Sequence, residues 1–171
     1  MLKIPYRLLY KLWRRVARGP GGLLALSALF AIVSTSLPAW AALGGDFASV
    51  EADQVHIAGS LRTTVAASYS VHEIQSPAGT VVREYVSSAG KVFAVSWQAP
   101  WPPDMHQLLG SYFDEYARAA QVHSTAGMGR RPLAINQAGL VIEQGGHPRS
   151  FTGRAYIPDL LPSGLSAEAI R

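Results

Sequence analysis

The chain has 171 residues, 49% of them hydrophobic, a formal net charge of +4 and no cysteine. The missing cysteine excludes disulfides, thiol catalysis, thiolate metal sites and a lipidated N-terminal cysteine. The charge suggests a nucleic-acid or anionic-membrane partner, but Lys3, Arg7, Lys11, Arg14, Arg15 and Arg18 all precede the first acid, Asp46; residues 42–171 hold nine cations and eleven acids, 9 − 11 = −2. Nucleic-acid binding falls with that sum.

The first element is an export segment. A cationic start leads into the apolar run "LLALSALFAIV" at 23–33, then Pro38 and Ala39-Trp40-Ala41. This is the order of a cleavable secretory signal, and the small residues at 39 and 41 place the cut after Ala41. The alternative is a retained anchor, because residues 23–43 are uncharged over about the 20 residues a span requires. Ser34-Thr35-Ser36 and Pro38 weaken its last third. Arg14-Arg15 reads as ordinary n-region charge, since Ala17 and Arg18 follow where a twin-arginine signal would carry an apolar pair. The expected location is periplasmic or secreted, or else N-terminally anchored and facing the periplasm.

Residues 42–171 have the size of one small domain. Residues 42–48 read as a flexible lead-in. A helix is expected next, with Ser49 as N-cap, Glu51 and Asp53 in its first turn and Gly59 at its end; Val55 and Ile57 also suit a strand. "SLRTTVAAS" is ambiguous and rich in β-branched residues. "YSVHEIQ", "TVVREYVS" and "KVFAVSW" are β-prone runs separated by "SPAG" and "SSAG", and "NQAG" precedes "LVIEQ". Such turns close on a left-handed residue, so Gly79, Gly90 and Gly139 should take positive φ without steric cost.

"PPDMHQLLGSYFDEYARAA" is the clearest helix, from 104 to about 120. Asp104 caps it and Gln107 completes a capping-box pattern. Met105, Leu108, Leu109, Tyr112, Phe113 and Tyr116 share one face. After a polar loop come "LAINQ", "LVIEQ", the turn "GGHP" and "SFTGRAYI", then an irregular tail with a last short turn after Ser166. The expected fold is α+β: a hairpin-rich antiparallel sheet of five or six strands with one main amphipathic helix on one face.

With these elements laid out, "LGGDFASVEAD", "YSVHEIQSPAGTVVREYVSSAGKVFAVSWQAP", "PDMHQLLGSYFDEY" and "GGHPRSFTGRAYIPDLLPSG" together resemble a family of exported bacterial proteins catalogued as a domain of unknown function. The resemblance spans nearly all of residues 42–171. It implies bacterial origin, export and a stand-alone small domain, and carries over no catalytic residue.

Candidate chemistry is sparse. His72-Glu73 opens like a zincin motif, but Ser76 stands where the second histidine belongs, and on a strand the two side chains point to opposite faces. The five histidines, 56, 72, 106, 123 and 147, form neither an i, i+4 pair nor an H-x-H pair, so no metal site and no cofactor is expected. Ser88-Ala-Gly-Lys91 matches S-x-x-K in a hairpin turn, without the helix or partner motifs that chemistry needs. Arg149 and Arg154 near "GGHPRSF" would suit a carboxylate or phosphate clamp, although a tight turn with solvated arginines is the simpler reading. Arg83 and Glu84 read as cross-strand partners on an exposed face.

Trp97 and Trp101 flank a proline-rich corner, "WQAPWPPD", beside His106. A stiff aromatic rim suits a sugar, peptide or lipid; packing of Trp97 in the sheet and of Trp101 over the helix start is the alternative. The leading expectation is a non-enzymatic envelope module that binds a partner protein or small molecule through Trp97, Trp101 and His106. The runners-up are a small hydrolase using His72, Asp104 or His106, and an assembly accessory offering a sheet edge.

Overall fold

β-prone runs recur through the chain beyond residue 59, and the sheet follows from them. The computed structural model describes residues 43–129, 131–137 and 139–171; the expected leader and its cleavage point lie outside them. The strands are β1 (Ser60–Val65), β2 (Tyr69–Gln75), β3 (Val81–Ser87), β4 (Val92–Ala99), β5 (Leu133–Gln137), β6 (Leu140–His147) and β7 (Ser150–Tyr156). They form one antiparallel sheet in the order β1-β2-β3-β4-β7-β6-β5. The fold is α+β as expected, but with seven strands in place of five or six. The ambiguous "SLRTTVAAS" supplies the edge strand β1. Its side chains are exposed on both faces except Leu61, so no apolar alternation marks it. Gly79, Gly90 and Gly139 have φ of +88°, +75° and +90°, as the turn chemistry requires.

Two helical segments pack on the sheet instead of one main helix. α1 spans Phe47–Ile57; its N-cap is Asp46, whose carboxylate accepts from the Ala48 N–H, and Ala58 closes it in the left-handed region. The expected cap Ser49 is one turn inside, donating its hydroxyl to the Asp46 carbonyl. Asp46 is favoured because it leaves Val50 inward, fully buried with Val86 and Val92. The second segment starts as expected at Asp104, which accepts from the N–H groups of His106 and Gln107. It is not continuous: α2 (Met105–Leu109) gives way to a 3-10 turn, Gly110–Tyr112, and then to α3 (Phe113–His123). Gly110, at φ 49° and ψ −118°, breaks the helix. The apolar stripe survives, with Leu108 and Leu109 buried and Met105, Tyr112, Phe113 and Tyr116 packed around them.

Residues 43–48 are no flexible lead-in. Leu43 is buried and donates its N–H to the Leu108 carbonyl at 3.2 Å, while Gly44 donates to Val92 at 2.8 Å. Burying a leucine contributes roughly 1.5–3 kcal/mol, enough to fix so short a segment.

The helices cover one sheet face, over Val82, Val95, Trp97, Leu140, Ile142 and Ala155. On the other face Tyr85, Phe93 and Ala94 lie under the tail residues Leu161, Leu165 and Ile170. A register shift between Tyr85 and Val86 leaves Phe93 as the extra residue on β4, which lets adjacent Phe93 and Ala94 serve the same cluster. The tail-side face carries a polar row in register, Arg62, Glu73, Arg83, Ser96, Arg154 and Glu143. Arg83 pairs with Glu73 at 2.7 Å and Arg154 with Glu143 at 2.8 Å. Arg83 thus has a cross-strand partner as expected, whereas Glu84 is not on an exposed face: it points to the opposite side of the sheet and is buried. Nor is Arg154 a solvated turn residue, since it also donates to the carbonyls of Ala167 and Ile170.

Candidate functional site

The corner between β4 and α2 places the three expected site residues differently. Trp97 points inward from β4 and is 4% exposed. Its indole lies across β7 at Gly153, where any Cβ would overlap the ring; a glycine is required there for the close approach. Trp101 is 67% exposed. Pro100, Pro102 and Pro103 around it fix φ near −65° and hold the corner stiff. His106 is exposed on α2, with its ring edge-on to Phe113 at 4.9 Å.

A groove of about 380 Å³ opens beside this corner, between α3 and the β6–β7 hairpin. Trp97, Tyr116 and Phe151 supply its aromatic surface, and Pro102, Pro103 and Met105 one wall. Gln144 donates to the Tyr116 hydroxyl at 3.0 Å, which fixes both side chains in the lining. His123 and Arg131 are also in the lining, and no carboxylate is. A second groove, of about 550 Å³, shares Trp97, Pro132, Leu133, Gln144, Gly145 and Thr152 with the first. Of the expected trio, Trp97 lines both grooves; Trp101 and His106 line neither. Tyr116 was expected only as part of the helix's apolar face, and Gln144, Gly145 and Phe151 carry no signal of their own, because the β6–β7 hairpin meets α3 only in the folded sheet.

The hydrolase residues are committed to different neighbours. His72 is 3% exposed, its Nδ1 bonded to the Thr63 hydroxyl at 3.0 Å and its Nε2 to that of Ser70 at 2.8 Å. Burial lowers its pKa, so it is held neutral. Asp104 caps α2 and lies 3.9 Å from His56 in an exposed pair. His72 and Glu73 face opposite sides of the sheet, as alternation demands: His72 is in register with Glu84, Glu73 with Arg83. Among the described residues no group of three His, Asp or Glu side chains could hold a metal ion.

A buried acid pair was not visible in the sequence. Asp53, on the inner face of α1, is 0% exposed, and Glu84, on β3, is 1% exposed. The Gln107 side-chain amide donates to Asp53 Oδ1. Asp53 Oδ2 and Glu84 Oε2 are buried with no donor among ordinary protein groups. Desolvation raises the pKa of both, and Glu84 stands well above the ordinary carboxylate range, lifted further by Asp53 beside it. A reading that put Asp53 at a helix start and Glu84 on an exposed face had no means of joining them.

Residues 39–170 match the family described as a protein of unknown function, DUF2844. The chain belongs to that family. The match takes in every element of the DUF2844 domain described above, from Leu43 to Ile170. No curated protein matches the chain, and no solved structure does. Among the described residues no helix is long and apolar enough to cross a membrane.

Proposed function

We propose that this domain is a non-enzymatic binding module, exported to the bacterial envelope, that takes its ligand in the groove over Trp97. One observation carries the reading: a preformed groove of about 380 Å³ with aromatic surfaces, rigid proline walls and no carboxylate. Sites for small ligands are concave, mostly apolar and furnished with a few fixed polar groups, and that description fits Trp97, Phe151 and Tyr116 with Gln144, His123 and Arg131. The lining selects a ligand with a flat apolar body and an anionic group, either a small molecule or the acidic side of a partner segment. Trp101, stiffly held on the same corner, is the rim residue for a larger partner.

The test uses an anionic naphthalene sulfonate as probe, titrated into the purified protein and followed by its fluorescence. Gly145 serves both grooves, and a Cβ there would make only ordinary contact with Pro132, so Gly145→Leu plugs the site without breaking the core. It should weaken the probe at least tenfold, and Arg131→Glu should weaken it several-fold, with thermal midpoints near the parent's. Unchanged affinity in both variants would rule out this groove as the site.

A further inference from the structure

The acid pair plays no part in ligand binding as proposed above, yet it joins three elements: α1 through Asp53, β3 through Glu84 and α2 through Gln107. Two carboxylates cannot both remain charged at van der Waals range and out of water, since each loses its hydration and each repels the other. One proton resolves both problems. Placed on Glu84, it gives that carboxyl a donor for Asp53 and satisfies the two oxygens that otherwise lack a partner. Asp53 is the better carboxylate of the two, because Gln107 donates to it and His56 lies one turn along its own helix. We propose that Asp53 and Glu84 hold a single proton between them, and that this proton latches α1 onto the sheet, so that α1 disengages as the pH rises.

The surroundings favour the closed, singly protonated form. Facing Asp53 are Glu84 from β3, Gln107 from α2, Asp104 at the start of α2, and His56 from α1 itself. Facing Glu84, besides Asp53, is His72 from β2 in register. His72 is held neutral with both ring nitrogens engaged by Thr63 and Ser70, so it offers Glu84 no compensating charge. Asp104 adds repulsion. No described cation other than a protonated His56 faces the pair. When the proton leaves for solvent, two anions remain in a dry contact, and the weakest element holding them there is α1. It is a single helix of 11 residues whose other buried side chains are Ser49 and Val50. The sheet contributes β3, which is paired on both sides.

Hydrogen exchange on the purified full chain tests this directly. With α1 released, both carboxyls return toward ordinary values of about 4. The released form therefore binds one proton fewer, and the opening of α1 should grow about tenfold per pH unit above roughly pH 5, after allowance for base-catalysed exchange. The central strand β4 should show no such slope. Glu84→Gln keeps a donor for Asp53 and cannot ionise, so its α1 opening should be flat across the same range. Infrared spectra at neutral pH supply a measurement independent of exchange kinetics: the unaltered protein should show the carbonyl stretch of a protonated carboxylic acid, absent in Glu84→Gln. A pH-independent α1 in the parent protein, a slope retained in Glu84→Gln, or a neutral-pH spectrum without the acid band would each overturn the proposal.

Discussion

At Gly153 and Trp97 one missing methyl group decides what the neighbouring strand can carry. The indole occupies the place where a β-carbon would stand, so the sheet accepts its largest residue without spreading. Trp97→Ala should therefore lower stability by about 3–5 kcal/mol, the usual range for emptying a buried tryptophan site. Trp101→Ala, at a side chain 67% exposed, should stay within about 0.5 kcal/mol of the parent while weakening capture of any partner that uses the rim proposed above. Denaturant melts and affinity capture on the two variants separate these roles. A Trp101→Ala protein that unfolds easily would show that the exposed indole is structural after all. The corner was legible in the sequence because its prolines and tryptophans are consecutive. The glycine that makes room for Trp97 was not, since its reason lies on a strand directly opposite in register but 56 positions away in sequence.

Among the elements, the apolar stripe of α2 and α3 was readable and the break at Gly110 was not. Periodicity reports which face is buried, and that face is shared by both segments despite the 3-10 turn between them. Leu109 is fully buried in α2. Leu109→Asp should unfold the domain at neutral pH, because it strands a carboxylate in an apolar cluster with no partner; an unchanged thermal midpoint would contradict the packing described. The hairpins were legible for a different reason: their glycines act locally, and the left-handed conformations at Gly79, Gly90 and Gly139 depend only on the turns. β1 is ambiguous in the sequence because its burial pattern is that of an edge with both faces largely wet. α1 was found with the wrong cap, as Asp46 and Ser49 are both competent caps and only the burial of Val50 chooses between them.

For the molecule as a whole, the buried ionisable groups give stability an uncommon dependence on pH. Folding raises the pKa of Asp53 and Glu84 above their ordinary 3.8 and 4.5. Their contribution is therefore full below about pH 4 and is lost as pH rises through the folded value. His72 works the other way: its folded pKa lies below 6.5, so its contribution is present above 6.5 and lost as pH falls through the folded value. The two slopes oppose each other in mildly acidic solution. Above pH 6.5 the His72 contribution is complete and the carboxyl pair sets the slope, so stability should fall by up to about 1.4 kcal/mol per pH unit until the pair's folded value is passed. Urea denaturation from mildly acidic to alkaline pH would reveal this; a stability maximum on the alkaline side would contradict it. The strand order has a further, kinetic consequence. β1 to β4 form one meander and β5 to β7 another, and they meet only where β4 pairs with β7. Each meander closes short loops, whereas the seam waits for the helical segment between them to bring distant strands together, and contacts so remote in sequence form slowly. Trp97 and Gly153 face each other across that seam, so the groove does not exist in either half alone. If the groove binds as proposed, the chain becomes competent to bind at the last step of its folding, and the appearance of ligand affinity is a clock for the completed molecule.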